Sequence, residues 1–522
     1  MADLERNTRT VAGMTLVSRV FGLARDLVLV RILADSAVGS AFNAAFALPN
    51  LFRRLFGEGA LSAAFIPRYT TLEQDDPELG RKYASLVVAA LVTITSLLTI
   101  LGELGLLVWL SSAGDDPERT LSIHLMMLLL PLMPLVCTVA ILGGVLQVNK
   151  RFAVPAAAPI VLNICIIAAS LATIAADVDA QRAIYAVALA TLAGGCIQLA
   201  WALIALRPLV RLTTAFKDAT HEAKQTLRRF LPVLVGMGTL QLNTLADTVL
   251  AMWPVWVGPT LLGRDIPMDE ASNAVLGFTQ RLYQFPLGVF GIAVATAAFP
   301  QLARDAKDAA AFGLTLARGL RLSLFIGLPA SLGLFLVRDD LVAVMFSGGF
   351  SDNQPGFSNE GLERAAAVLA GYALAVWAYS LNHLLTRAFY AQDDTKTPMR
   401  ISLAMVAVNL ALNLTLIWRF REAGLAYATA ITATLQMLLL TIILRRGVIT
   451  TNPVIPTILR IVAVSGAMAT AVWLTLALIP KPDSWSDHAV RLAAAVATGG
   501  LTYLALSLAT KSPELRQLIS RR

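Results

Sequence analysis

Arg19, Arg25 and Asp26 stand in a run, SRVFGLARDLVLVRIL, whose other residues are almost all apolar. Arg53, Arg54 and Glu58 stand in a second such run, ALPNLFRRLFGEGALSAAFIP, and Arg281 stands in a third, AVLGFTQRLYQFPLGVFGIAVATAAFP, with Gln284 one helical turn on. Ionisable groups are expensive inside a bilayer and mark cavities, partners or pathways. A guanidinium stays charged and presents a planar fork that matches phosphate oxygens two at a time. Several such groups from separate helices suit a diphosphate better than a cationic drug or a metal ion. Asp26 shares a helical face with Arg19, and Arg25 lies about 100° round from it. Asp26 therefore either orients an arginine toward an anion or completes an intramembrane ion pair that locks helices together. Glu58 is placed to pair with Arg53 or Arg54, and Gln284 to line a gate or partner Arg281. Asp247, alone in LQLNTLADTVLAMW, is a candidate Na⁺ or proton site and equally a partner for an arginine.

The elements that must position these groups are membrane helices. Hydrophobic residues make up 57% of the 522, and charged residues only 15%, against about 25% in soluble domains. At roughly 20 residues per crossing, fourteen apolar runs are long enough to span, among them 10–34, 38–66, 229–256 and 271–300. The expected fold is an all-α integral membrane protein. No small-residue cleavage pattern follows the first run, so a removable signal peptide is not expected. Cys137, Cys165 and Cys196 all lie in apolar runs, which suits packing and not a disulfide framework or metal site. No glycine-rich phosphate loop, HExxH or aqueous carboxylate pair is present, which argues for a transporter and against an enzyme.

The net charge of +8 acquires its meaning from its location. With the N-terminus inside, 24 Lys and Arg fall in inner segments and 8 in outer loops. That asymmetry places both termini in the cytoplasm and disfavours nucleic acid as a partner.

Two halves repeat weakly. An A-A-F exit followed by proline recurs at Pro67 and Pro300, 233 positions apart, and Asn163 and Asn409 stand 246 apart. The offset divides the chain into an N-lobe at 1–206, a cytoplasmic linker at 207–228, a second lobe of spans seven to twelve at 229–445, and two added helices with a tail at 446–522. Parallel repeats of this kind are a transporter architecture, with pseudo-twofold lobes and a substrate site between them.

The stretches SRVFGLARD, ALPNLFRRLFGEGALSAAFIP, QRLYQFPLGVFGIAVATAAFP and RAFYAQDDTKTP resemble the MurJ/MviN family of the multidrug/oligosaccharidyl-lipid/polysaccharide exporter superfamily. The resemblance runs through all fourteen runs. It implies a flippase that carries lipid II, the undecaprenyl-diphosphate-linked peptidoglycan precursor, from the inner to the outer leaflet of the bacterial cytoplasmic membrane. Mapped by motif, the family's cavity residues fall on Arg19, Arg25, Asp26, Arg53, Arg54 and Arg281, and its cation site touches Asp247. No cofactor is implied, only coupling to Na⁺, H⁺ or the membrane potential. The expected partners are lipid II and membrane lipids, with a monomer working beside the wall-synthesis machinery. Ser40 and Gln284 stand where many relatives carry acids. A drug exporter of the same superfamily would need a carboxylate-rich cavity. A polyprenyl-phosphate enzyme would need acidic metal motifs at the membrane edge, and a wall-synthesis scaffold would tolerate loss of the arginines.

Overall fold

The computed structural model describes residues 2–56, 60–112, 114–349, 356–448 and 454–519. The chain packs as two units, residues 1–264 with 269–274, and residues 265–268 with 275–522.

The first unit holds α1 (Ala2–Leu33), α2 (Ala37–Phe56), α3 (Ala60–Asp75), α4 (Pro77–Ser111), α5 (Pro117–Leu129), α6 (Leu132–Val148), α7 (Ala153–Ala175), α8 (Ala180–Leu206), α9 (Thr220–Ala251) and the single turn α10 (Trp253–Trp256). Local chemistry sets the starts. Asp76, Asp116 and Asp179 each accept from backbone N–H groups of the turn that follows, with Pro77 and Pro117 at the first helical position, where their missing N–H costs nothing. The core of this unit gathers Phe65, Tyr69, Tyr83, Ile141 and Leu142 from α3, α4 and α6, with Phe65 stacked on both tyrosines.

Repeat spacing groups the seventh span with the second six, but α9 packs within the first unit against α2, α3 and α4. The start of α9 and the turn before it are tied there. Tyr83 OH lies 2.6 Å from Thr226 Oγ1, the Arg68 Nε–H donates to Glu222 at 2.6 Å, and Lys82 Nζ reaches Asp218 at 2.8 Å.

α11 (Ser272–Pro286) opens in the first unit and continues in the second. Then follow α12 (Ile292–Asp305), α13 (Ala309–Leu336), α14 (Arg338–Phe346), α15 (Asn359–Ala373), α16 (Val376–Ala391), α17 (Lys396–Phe420), α18 (Ala423–Val448), α19 (Val454–Leu478), α20 (Trp485–Ala509) and α21 (Pro513–Ile519). The pairs α17–α18 and α19–α20 pack as hairpins, and α13 packs on α16 and α19. Helix persists beyond Pro286: one π-helical turn, Leu287–Gly291, joins α11 to α12. Such turns widen a helix locally and recur at functional sites.

Among the described residues, ten helical segments are long and apolar enough to cross a membrane. The chain is an all-α membrane protein, as composition predicts. The remaining expected spans, 10–34, 38–66, 229–256 and 271–300, fall in helices outside those ten. They carry the charged and polar residues singled out above.

Candidate functional site

The first cluster is built on α1 and α7, which pack along one another. The Arg25 guanidinium donates from Nε and Nη2 to Asp26 Oδ1, at 3.0 and 2.8 Å, and from Nη1 to Asn163 Oδ1 at 3.1 Å. The side chains of Arg25 and Asp26 are 15% and 10% exposed, and Asn163 is buried. Asp26 holds Arg25 from the same helix, and Arg25 reaches across to a second helix through Asn163. The aspartate orients the fork from its own helix, while the asparagine fixes it from α7 without adding charge. Gly22, one turn before Asp26, faces Asn163 with its open side, so α7 comes close at this point.

Asn163 was visible in the sequence only as a repeat marker. Its signal as a site residue is an amide in mid-span, which a lipid-facing helix does not keep without a partner. Removing it tests the tether. Asn163→Ala should leave the fold in place and weaken transport about tenfold, the scale of one hydrogen bond to a charged group, read as external substrate per unit of protein.

Arg19 is half-buried on α1 and makes no hydrogen bond or ion pair among the described residues. Arg53 donates from Nε and Nη2 to Asn50 Oδ1, at 3.1 and 3.0 Å, one turn back on α2, just after the buried Pro49. Arg54 is half-buried beside it. Glu58 lies outside the described residues.

Ser40 is fully buried at the start of α2. Its Oγ accepts from the backbone N–H of Ala274 at 2.9 Å, and its carbonyl accepts from Asn273 Nδ2 at 2.8 Å. A hydroxyl thus caps the first turn of α11, a role that an acid at this position would also fill.

In the second unit, Arg281 stands on α11 with its guanidinium carbon 5.2 Å from the centroid of the Phe278 ring. Phe278 is buried against Phe346 and Phe357, so the cation rests on a fixed aromatic face. Tyr283, two residues on, stacks on Tyr372 and Tyr379 with centroids 4.4 and 5.7 Å away. That stack fixes α11 against α15 and α16 immediately before the π turn. Gln284 is half-buried on the same helix. Asp247 is buried near the end of α9, next to Thr248, whose hydroxyl donates to the Thr244 carbonyl at 2.9 Å.

Each unit therefore sets a partly buried arginine on a fixed support, carboxylate and amide in one case and an aromatic ring in the other. Such groups can hold an anion by charge and by directed N–H donors.

A family described as lipid II flippase MurJ matches residues 29–494. A probable lipid II flippase MurJ of Rhizobium meliloti (strain 1021) is 31% identical over 524 residues, covering 97% of this chain and 94% of its own. That of Rhizobium tropici is 32% identical over 452 residues, 84% of this chain and 80% of its own. A solved structure of the lipid II flippase MurJ in an inward closed conformation superposes with a TM-score of 0.79 at 23% identity, over 98% of this chain and 99% of that one. An inward-facing multidrug resistance MATE transporter reaches 0.64 at 12% identity, over 84% and 97%. The fold is shared across both.

Proposed function

The chain belongs to the lipid II flippase MurJ family, and on that premise we propose that it flips lipid II by alternating access, with cavity arginines holding the diphosphate. A flippase moves its substrate without making or breaking a bond in it, so the chain is a transporter and not an enzyme. It is a multi-pass protein of the bacterial inner membrane. Arg25 and Arg281 are the principal holders in this reading, and Arg19, Arg53 and Arg54 assist. The observation that carries it is the Arg25 guanidinium, tethered to Asp26 and to Asn163 of another helix at membrane depth. A group held that firmly from two sides is organised before its ligand arrives.

Both termini lie in the cytoplasm in this reading, on the strength of the basic bias of the inner segments. Outward movement of an anion then runs with an inside-negative potential, worth about 2.3 kcal/mol per charge per 100 mV when the whole field is crossed. Asp247 is the candidate for binding Na⁺ or H⁺ on the return of the empty carrier. The undecaprenyl tail stays in lipid throughout, along the added helices α19 and α20, and the protein acts as a monomer beside the wall-synthesis machinery.

The test is replacement. A bacterium depleted of its own flippase and supplied with this chain should grow and should expose lipid II at the outer face, read by an impermeant label or a lipid II-cleaving toxin. Growth arrest with lipid II retained inside, despite normal amounts of the protein in the membrane, would overturn the assignment.

A further inference from the structure

α2, the last third of α4 and the end of α5 leave between them a cavity of about 230 Å³. Its walls are Ala44, Ala45 and Leu48 of α2, Gly102 and Gly105 of α4, and Leu130 just beyond α5. Ala44 and Ala45 on one side and Gly102 and Gly105 on the other leave room between the larger Leu48, Leu106, Met126 and Leu130. No lining side chain carries a hydrogen-bond donor or acceptor, so neither a sugar nor a diphosphate would find a partner in it. An apolar cavity does not hold water, and it takes apolar ligands.

The depth and the mouth identify the ligand. Gly105 and Gly102 lie six and nine residues before the end of α4 at Ser111, which is about 9 and 14 Å along a helix axis. Met126, also on the wall, lies nine residues into α5. Both measures put the cavity in the hydrocarbon of one leaflet, the outer one in the proposed orientation. Nearer the surface, Trp109 meets Trp256 edge to face with centroids 5.9 Å apart, and Trp256 Nε1–H donates to Ser122 Oγ at 2.8 Å. Paired tryptophans with a satisfied N–H suit the boundary between headgroups and hydrocarbon. Leu48 and Gly105 are exposed at the rim, and α4 continues on either side with Leu104 and Val108 exposed to 54% and 71%. On a helix that crosses the membrane, that surface faces lipid.

We propose that this cavity is a binding site for one acyl chain of a bilayer phospholipid. Around Gly102 the walls close: a Cβ there would come within 2.6 Å of Leu130 Cδ2. An unbranched chain suits such a constriction better than a chain carrying regular methyl branches, which favours a phospholipid over a polyprenyl tail. The α2 wall of the cavity reaches Leu48, next to Pro49 and a few residues before Arg53, so an occupant props the part of α2 that leads into the arginine pair.

The test uses the whole protein in nanodiscs made from phospholipid with a diazirine in mid-chain. After irradiation, adducts should concentrate on residues 44–48, 102–106 and 126–130, about fivefold above the lipid-exposed stretch 473–478 of α19, since a bound chain outstays a passing one. Gly105→Leu narrows the mouth of the cavity and does so without a clash, because a Cβ at Gly105 meets nothing within 4 Å. In that variant the labelling should fall to the α19 level. Leu130→Ala, which widens the cavity, should raise it. Equal labelling of cavity and reference stretches, or unchanged labelling in Gly105→Leu, overturns the proposal. So does preferential labelling by a diazirine-bearing polyprenol. Failure of the replacement test above would leave these labelling outcomes unchanged, so the two readings fail separately.

Discussion

Arg25→Ala is expected to abolish rescue of a flippase-depleted bacterium, with lipid II at the outer face falling about a hundredfold or more. The magnitude follows from the fork. Two charge-assisted bonds to a diphosphate at roughly 1.5–3 kcal/mol each correspond to two orders of magnitude at the lower bound. Arg25→Lys keeps the charge but loses the planar pair of donors and the simultaneous reach to Asp26 and Asn163, so it should fall between alanine and the parent, about tenfold down. Arg281→Ala should match Arg25→Ala in sign. It removes a cation resting on the Phe278 ring and leaves the Tyr283–Tyr372 stack intact, so the protein should still fold and reach the membrane in normal amounts. Transport equal to the parent in all three variants would sink the diphosphate role. A loss accompanied by degradation of the protein would assign these arginines to packing instead.

How much of this was legible in the sequence depends on the kind of residue. Misplaced charge is conspicuous in an apolar run, and Arg25, Asp26 and Arg281 could be singled out from type and depth alone. Asn163 could not, because one amide in a span is unremarkable until the partner on α1 is known, and the partner lies 138 residues away. Ser40 stands out in the sequence as a departure from an acid. Its use as a cap on α11 depends on a contact 234 residues distant. The architecture followed from composition, because a chain with 57% hydrophobic and 15% charged residues has no soluble core to build. The π turn after Pro286 escaped for a local reason. A proline announces a lost backbone bond but not whether the helix ends or widens to take up the slack. Repeat spacing, finally, records symmetry between segments, whereas the packing of α9 is decided by side chains such as Tyr83, Arg68 and Lys82 on the helices it meets.

Glu422→Ala should cost about 3–5 kcal/mol of stability, the scale for stripping one partner from a buried ion pair. Glu422 lies in the turn between α17 and α18 with its side chain 2% exposed, and it accepts from Arg364 Nε–H at 2.6 Å, that side chain being 10% exposed. The turn is tight. Arg421 has φ 53°, a region that ordinary side chains seldom occupy, and a Cβ at Gly424 would come within 2.7 Å of the Leu416 carbonyl. Arg421 also reaches Glu360 at 3.1 Å, so α15 is pinned to this turn at two points. The carboxylate therefore neutralises a desolvated arginine and holds a hairpin whose backbone has no slack. Arg364→Ala should lose a similar amount for the converse reason. The double replacement Arg364→Ala with Glu422→Ala should lose less than the two single losses combined, because neither charge is then left buried without its partner. Thermal midpoints of the purified protein in detergent, taken as a double-mutant cycle, measure the coupling directly. Single variants within about 1 kcal/mol of the parent would mean that the pair behaves as a solvated surface contact. A double variant as unstable as the two losses combined would mean that each side chain serves the turn on its own, and that the 2.6 Å contact is incidental to the stability of the second unit.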